Sequence, residues 1–266
     1  MVTNPPVYWF FIRGLMREAS HWENFPAVFE KSFPNTKVVA LDLPGTGKQW
    51  RSLSPLSVEN MAETVRKEAQ YYFELSLRKY GKLPQCYLLA ISLGGMVALE
   101  WLNRFPNDCL GAVLINTSIG GINSFYQRLK PQAWLPLLDI VLTKDIKTRE
   151  KKVLSLTTSH FQINEGFLDK RVEYSKTRPT SKSTFLRQLI AACRFRYKPS
   201  NNTHPLLFLN SLGDRLVDSR CSQRIQSELG GTLKSHLSAN HDLTLEEPQW
   251  VINQVREWLT STTTRD

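Results

Sequence analysis

The sequence predicts an α/β protein in which a mostly parallel central sheet is covered by helices on both faces. One observation leads to this fold class, and a second indicates an insertion in it. Short runs of apolar and β-branched residues alternate with segments of helical periodicity, the arrangement of chains whose strands run in parallel. This alternation is interrupted once, between Asn116 and Pro205, where about ninety residues pass without a convincing buried strand.

The first half of the chain contains three predicted strands, each an apolar run that ends at a glycine, a proline turn or a serine. These strands are residues 7–13, 37–43 and 85–91. Ser20 and Glu23 have capping-box spacing, so a helix is predicted after Ser20, with apolar residues of 25–33 on its buried face. Ser57 is a good N-cap for a second, longer helix, and Gly81 closes it.

The second half repeats the pattern. The remaining strands are predicted at residues 110–116, 205–210 and 233–237. A helix runs from Leu93 to Phe105, where Pro106 stops it, and another at 219–229 ends at two glycines. Pro248 stands where the first turn of a last helix is expected. Helices between successive strands are the connections that parallel strands require.

The interruption is interpreted as an insertion. Residues 1–118 and 205–266 would form the core, and residues 119–204 a mostly helical cap over one end of the sheet. Helix-like stretches within the insertion are residues 124–129, 148–155 and 182–193. Residues 133–142 are its most apolar part. An acyl-binding wall or lid is one interpretation of that stretch, and packing against the core is the favoured one.

The insertion also carries the net positive charge of the chain. The chain carries 34 Lys and Arg against 24 Asp and Glu, a net charge of +10. Residues 122–204 hold sixteen of those basic residues and six of the acidic ones, so the remainder of the chain is balanced. Such an excess suits an anionic substrate, an acidic carrier protein or a membrane surface, and a solvated basic face is the simpler explanation. Basic and aromatic residues alternate at 194–198, which is too little to indicate a nucleic-acid partner, and none is expected.

The composition favours a cytoplasmic globular protein. Hydrophobic residues make up 41% of the chain, enough for a full core. The start lacks a basic n-region, and the apolar run at 7–12 is too short for a signal h-region with a cleavage site, so a strand is the better interpretation. No apolar stretch approaches the length of a membrane span. The four cysteines show no metal-ligand spacing, and we expect them to be reduced, with no metal and no organic cofactor.

The segment around Ser92 carries the first chemical signal. An apolar strand runs directly into Ser92, and a helix opens after it at Leu93. A serine hydroxyl is a weak nucleophile, so a reactive one must be exposed, oriented and given a base, and a sharp strand-to-helix turn supplies the first two. Such a turn brings the residues two before and two after the serine together, and here both are small, Ala90 and Gly94. The alternative is a serine that only caps the helix.

This segment resembles the G-x-S-x-G nucleophile elbow of the α/β-hydrolase superfamily, with Ala90 in place of the first glycine. The resemblance covers residues 5–118 and 205–260, and it implies the fold as well as serine hydrolase activity. It assigns the backbone N–H of Leu93, at the helix N-terminus, to an oxyanion hole.

The same resemblance implies the other two members of a triad. In this superfamily the order is serine, acid, histidine, and His241 lies in a polar loop between the last strand and the last helix, where the family keeps its histidine. The loop after the fifth strand offers two carboxylates. The spacing from Asp214 resembles the family's acid loop, whereas Asp218 is better explained as a helix N-cap. His236, inside a short strand, is expected to be a packed or edge residue.

A second oxyanion donor is implied by the loop after the first strand. Most relatives have His-Gly there, whereas this chain has Arg13-Gly14, and position assigns the backbone N–H of Leu15. The turn from Asp42 to Gly47 also resembles the superfamily pattern. It contains Gly-Thr-Gly-Lys, but it lacks the spacing and the hydroxyl residue of a phosphate loop.

The sequence therefore predicts a serine hydrolase that cleaves a carboxylic ester or a related acyl bond through Ser92, Asp214 and His241 by way of an acyl-enzyme. The expected partner is a small acyl substrate, with an anionic one left open. Thioesterase, amidase, peptidase and lactonase reactions would use the same groups. The rival hypothesis is a hydrolase-fold protein that binds a ligand or a protein partner with little turnover.

Overall fold

The computed structural model describes residues 4–199 and 204–263. Its strands form one parallel sheet in the order β2-β1-β3-β4-β5-β6. The strands are β1 (Val7–Ile12), β2 (Thr36–Leu41), β3 (Cys86–Ile91), β4 (Ala112–Ile115), β5 (Leu206–Ser211) and β6 (Thr232–His236). Each predicted strand is present, with its ends moved by one or two residues, and the predicted α/β fold class is confirmed.

Helices cover both faces of the sheet. They are α1 (Phe25–Ser32), α2 (Val58–Tyr80), α3 (Leu93–Arg104), α4 (Phe125–Arg128), α5 (Trp134–Leu142), α6 (Ile146–Thr157), α7 (Glu165–Thr177), α8 (Lys182–Arg194), α9 (Arg220–Leu229), α10 (Leu243–Glu246) and α11 (Pro248–Thr263). Helices α2, α3 and α9 pack on one face, and α1 and α11 pack on the other.

The central strands read as continuous apolar runs because both of their faces are buried. In β1, Phe10 and Ile12 belong to the core under α2 and α3, whereas Trp9 and Phe11 belong to the core under α1 and α11. Successive side chains of a strand point to opposite faces, so a strand covered on both sides needs apolar residues at every position.

The start of the first helix differs from the prediction. Ser20 lies inside a single 3-10 turn, Ala19–Trp22, whose capping box is formed by Glu18 and His21. Glu23 then adopts a positive φ of 52°, and α1 begins at Phe25. Proline at the second position of α1 explains this start, because its fixed φ suits a first turn and its missing N–H is not needed there.

The other predicted caps behave as expected, apart from a shift of one residue. The Ser57 side chain accepts a hydrogen bond from Asn60 N–H, and Gly81 closes α2 at a φ of 70°. Before α9 the N-cap is Ser219, one residue after Asp218, although an Asp218 carboxylate oxygen accepts a hydrogen bond from Arg220 N–H.

Between β4 and β5 the described chain is helical, from α4 to α8. Helices near 124–129, 148–155 and 182–193 correspond to predictions, whereas α5 and α7 do not. The extent of a cap at 119–204 stays a prediction, and residues 200–203 of it lie outside the described residues. The favoured packing of 133–142 against the core is wrong for Trp134, Leu135, Leu138 and Leu142, which are exposed.

No helix in 4–199 or 204–263 is long and apolar enough to cross a membrane. The cysteines are free, as expected, with Cys193 exposed and the others buried.

Candidate active site

Ser92 lies at a sharp turn between a strand and a helix. Strand β3 ends at Ile91 and α3 begins at Leu93, which leaves Ser92 alone between them at a φ of 57°. Positive φ costs a non-glycine residue on the order of 1–3 kcal/mol, and such strain concentrates at functional sites. Ser92 N–H donates to the Ile115 carbonyl at 2.9 Å, and its own carbonyl accepts a hydrogen bond from the Thr117 hydroxyl at 2.8 Å. The strained residue is therefore fixed from the neighbouring strand.

Close packing against β1 requires a glycine two residues after Ser92. A Cβ added to Gly94 would collide with the Ile12 carbonyl oxygen and come within 2.7 Å of the Arg13 carbonyl oxygen. A Cβ added to Gly14 would lie 3.0 Å from the Ser92 Cβ and 3.5 Å from its hydroxyl. The loop after β1 therefore passes directly against Ser92.

His241 and Asp214 meet in a buried contact. The His241 Nδ1 lies 2.7 Å from the Asp214 Oδ2, with the two side chains only 10% and 1% exposed. The second oxygen of Asp214 accepts hydrogen bonds from the N–H groups of Leu216 at 2.7 Å and Val217 at 3.0 Å. The spacing between Asp214 and Val217 noted in the sequence is thus a carboxylate held by its own loop.

Asn116 connects this pair to the strand beside Ser92. It follows β4 at a positive φ of 47°, and its amide donates to the His241 carbonyl at 3.0 Å and to the Ser211 hydroxyl at 3.1 Å. No hydrogen bond joins the Ser92 hydroxyl to the His241 ring among the residues that the structure describes. Such contacts commonly tighten only when substrate binds. Asn116 was not among the site residues predicted from the sequence.

The two predicted oxyanion donors are backbone N–H groups of residues that follow Ser92 and Gly14 in the chain. Leu93 begins α3, and the first N–H groups of a helix lack partners within it. Leu15 follows Gly14, the residue in contact with Ser92, and its N–H has no acceptor among the described residues. The next N–H, of Met16, donates to the Gln188 side-chain oxygen at 2.9 Å. Gln188 is fully buried in α8, so a residue of the inserted segment holds the loop that carries Leu15.

Arg13 and Asp242 form a buried, bidentate ion pair, with contacts of 3.0 and 2.6 Å. Burial alone would raise the pKa of Asp242. The Arg13 charge and hydrogen bonds, with smaller contributions from Arg171 and Arg17, outweigh burial and lower that pKa to about 2. The pair therefore stays charged and joins the loop of Leu15 to the residue after His241. The sequence analysis noted Arg13 as a departure from the family pattern and did not identify its partner.

The loop of His241 is also bonded to the inserted segment. Asn240 donates from its side chain to the Leu156 carbonyl at 3.1 Å, and Asp242 N–H donates to the Thr157 carbonyl at 2.9 Å. The Glu246 carboxylate accepts hydrogen bonds from the N–H groups of Ser159 and Asn240. The C-terminal end of α6 and the histidine loop are therefore one bonded unit.

The other histidines have local roles or surface positions. His236 ends β6, and its Nδ1 accepts a hydrogen bond from Ala239 N–H at 3.0 Å, as suits the packed or edge residue that was expected. Within 4–199 and 204–263, no group of three or more His, Cys, Asp or Glu side chains could hold a metal ion.

An open groove of about 610 Å³ begins beside Asp214. One side of it is formed by residues next to β5, and the other by residues of the inserted segment. Its walls include Leu212, Arg215, Leu156, Tyr126, Lys130 and Pro136. The groove mixes apolar surface with charged side chains of both signs, since the paired Asp218 and Arg220 also line it.

Comparison with known proteins identifies the family and the fold. The family model described as serine aminopeptidase, S33, matches residues 12–248. No curated protein sequence matches significantly. Among solved structures, the fold is similar to that of the lipase candidate lip1 from Acinetobacter baumannii AYE, with 21% identity and a TM-score of 0.72 over 99% of this chain and 87% of that one.

Two further structures show how widely the fold is shared. A thermophilic esterase from Thermogutta terrifontis has 14% identity and a TM-score of 0.70 over 97% of this chain and 91% of that one. BorB, a type II thioesterase of the borrelidin biosynthetic cluster, has 14% identity and a TM-score of 0.64 over 97% of this chain and 94% of that one. At these identities the likeness is one of fold.

Proposed function

This chain belongs to the serine aminopeptidase S33 family of α/β-hydrolases, and from that premise we propose that it cleaves a carboxylic ester through Ser92, His241 and Asp214. The buried 2.7 Å contact between His241 Nδ1 and Asp214 Oδ2 carries the proposal. A carboxylate there selects the tautomer whose Nδ1 bears the proton, which leaves Nε2 free to act as a base. Ser92 at its strained turn is the hydroxyl which that base would serve.

The reaction follows from these roles. The Ser92 hydroxyl attacks the ester carbonyl while His241 Nε2 takes its proton, and a tetrahedral oxyanion forms. The imidazolium then protonates the leaving alcohol, the bond to it breaks, and the acyl group remains on Ser92. Water attacks the acyl-enzyme with His241 again as base, which releases the acid and restores the serine. Asp214 holds the imidazole ring in this orientation and stabilises the imidazolium.

The N–H groups of Leu93 and Leu15 are proposed to hold the oxyanion. Support comes from the close approach of Gly14 to Ser92, since Leu15 is the next residue after Gly14, and from the helix start at Leu93. Donors fixed before the reaction stabilise developing charge without reorganisation. Residues 119–204 are proposed to cover this edge of the sheet and to shape the acyl pocket.

The test uses a fluorophosphonate probe and a series of p-nitrophenyl esters and acyl thioesters of increasing chain length. Wild type is compared with Ser92→Ala and with Ser118→Ala, a matched control because Ser118 is a buried serine beyond the end of the adjacent strand. We expect one adduct by intact mass on wild type and Ser118→Ala and none on Ser92→Ala. Ester turnover should fall by about 10⁵–10⁶-fold with Ser92→Ala alone.

If folded wild type takes no label and turns over none of the substrates, the hydrolase proposal fails, and a ligand-binding role becomes the leading hypothesis. Faster turnover of thioesters than of esters of equal length would keep the triad and change the substrate class.

A further inference from the structure

The inserted segment carries an exposed apolar surface, formed by α4 and α5. Its members, here called the α4–α5 patch, are large apolar side chains that are 44–78% exposed: Phe125, Tyr126, Trp134, Leu135, Leu138 and Leu142. The rings of Phe125 and Trp134 are in contact, with centroids 5.8 Å apart, so the two helices contribute to one continuous surface. Monomeric proteins rarely leave so many large apolar side chains together in water unless the surface has a partner.

The leucines of the patch lie on one face of α5. Leu135, Leu138 and Leu142 follow each other at intervals of three and four, as residues on one side of a helix do. Within α5 only Ile140 is buried, so the core takes up little of this helix. Asp139 is the only charged residue of α5, and it is neutralised by Lys152 at 2.7 Å. The exposed face therefore carries no net charge of its own.

Two lysines flank α5, Lys130 before it and Lys144 after it. Neither forms an ion pair with the residues that the structure describes, and the Lys130 ammonium donates a hydrogen bond to the Asp214 carbonyl at 2.5 Å. They give the ends of the apolar face a basic border, within a segment, 122–204, that carries ten excess positive charges. An apolar helix face bordered by lysine is the arrangement that binds in the headgroup region of an anionic bilayer. A second copy of this chain is the less suitable partner, because its own +10 charge would be repelled.

We propose that the α4–α5 patch docks onto an anionic lipid surface, with its apolar side chains at the boundary of the acyl chains and Lys144 among the headgroups. Tyr126, Lys130 and Pro136 also line the groove that begins at Asp214. Docking would therefore turn the groove toward the lipid. This role is independent of the chemistry proposed for Ser92, and its test can be done on inactive protein.

The experiment measures binding to vesicles of phosphatidylcholine alone and of phosphatidylcholine with 30% phosphatidylglycerol. Ser92→Ala protein serves as the parent, so that no turnover alters the lipid. Leu135→Ser/Leu142→Ser removes the two most exposed leucines of the patch, at 78% and 59%. Leu53→Ser/Leu237→Ser is the matched control, because these leucines are 70% and 80% exposed and lie outside the inserted segment.

We expect the parent and the control to bind the anionic vesicles, to lose that binding as salt is raised, and to bind phosphatidylcholine weakly. The patch variant should need at least tenfold more lipid for half-maximal binding. Absence of parent binding to anionic vesicles, or an equal loss in both double variants, overturns the proposal. So does a concentration-dependent dimer in sedimentation that only the patch variant abolishes, because the patch would then be a contact between copies.

Discussion

At the residue scale, three side chains outside the proposed triad hold the candidate site together. Asn116 bonds the carbonyl of His241, Gln188 bonds the loop of Leu15, and Arg13 pairs with Asp242. The contacts of Asn116 and Arg13 are buried and that of Gln188 is partly buried, and each joins segments that are distant along the chain. The precision of the site therefore depends on polar contacts that contribute no reacting atom themselves.

Replacing Asp242 with Asn is expected to cost both stability and activity. The change leaves the buried Arg13 charge without its partner, which typically costs about 3–5 kcal/mol of the free energy of unfolding. The loops of Leu15 and His241 also lose their connection, so we expect at least a tenfold fall in kcat. Urea unfolding and ester kinetics measure the two effects.

Asp218→Asn provides the control, because the Arg220 that it pairs with is 62% exposed. Pairs of this kind contribute at most about 1 kcal/mol. Equal destabilisation by both substitutions would contradict a special role for the Arg13–Asp242 pair.

Gln188→Leu is expected to lower kcat more than it raises KM. Without the Gln188 oxygen, Met16 N–H loses its acceptor and the neighbouring Leu15 amide is no longer fixed. Removal of an oxyanion donor costs about 10²–10³-fold in kcat, so displacement of one should cost about 10–100-fold. Steady-state kinetics on one ester measure the split. Gln162→Leu, an exposed glutamine of the inserted segment, should leave both constants unchanged; a rise confined to KM for Gln188→Leu would argue for a role in substrate binding instead.

The residues that sequence could identify are those whose signal is local. Ser92 stands between its strand and its helix, and Asp214 is followed within three residues by the N–H groups that hold it. Gln188 lies 172 residues from Met16, and Asn116 lies 125 residues from His241. No motif in the sequence near Gln188 or Asn116 indicates these partners, so the contacts can be identified only in the folded structure.

At the scale of elements, the junction of β1, β3 and α3 is the tightest part of the site. The helix opens so close to the end of β1 that the Gly94 backbone lies against two carbonyl oxygens of that strand and the residue after it. Elements that approach so closely leave no room for adjustment. Small changes here should therefore be transmitted directly to Ser92 and to the loop of Leu15.

Gly94→Ala tests this closeness. The added methyl group must push β1 and α3 apart, at an expected cost of about 1–3 kcal/mol in the free energy of unfolding and a larger loss of ester turnover. Gly166→Ala is the matched control, since the only contact of its added Cβ is at 3.7 Å from an Asn164 side-chain oxygen. That change should be neutral or stabilising. A Gly94→Ala protein with normal stability and turnover would show that the junction can relax.

Strands were easier to predict than helices because the sheet is buried on both faces. A short, continuous apolar run predicts a strand in such a sheet. Helix α5 is apolar on its exposed side as well, so its apolar residues show no clear helical period. The capping-box pattern at Ser20 failed because Pro26 and the positive φ of Glu23 decide where α1 begins. Local signals predicted the elements of the core, and they failed where an exposed face or a backbone break decided the outcome.

At the scale of the whole molecule, the inserted segment meets the core through ion pairs in which one partner is buried and the other partly exposed. Arg171 and Arg178 of the inserted segment pair with Glu23 and Glu18 of the core. His21 lies among these charges, with its Nδ1 accepting a hydrogen bond from Glu18 N–H at 3.0 Å. Burial first, and then the charges of Arg17, Arg171, Arg13 and Arg178, lower the pKa of His21 well below its ordinary value.

This shift predicts a pH-dependent stability. Below pH 6.5 the unfolded chain binds a proton at His21 that the folded protein does not, so the free energy of unfolding falls as the pH falls, by up to about 1.4 kcal/mol per unit. His21→Asn keeps an acceptor for Glu18 N–H and removes the titration. Urea unfolding at pH 7.5 and 5.5 should therefore show a smaller loss for His21→Asn than for wild type.

His160→Asn, at an exposed histidine, should keep the dependence of the wild type. If His21→Asn follows the wild-type curve at both pH values, another group is responsible for the acid sensitivity.

The hydrogen bonds between α6 and the histidine loop have a consequence for how this enzyme can diversify. A segment inserted between two neighbouring strands can ordinarily be replaced as a whole, and the replacement then changes the substrate specificity. Here a graft that replaced α6 would strip Asn240 and Asp242 of the carbonyls they bond. A chimera should keep its function only when the end of α6 and the histidine loop come from the same parent protein. Sequence variation that changes specificity is therefore expected around α5, of which only Ile140 is buried. The end of α6 and the histidine loop should vary together.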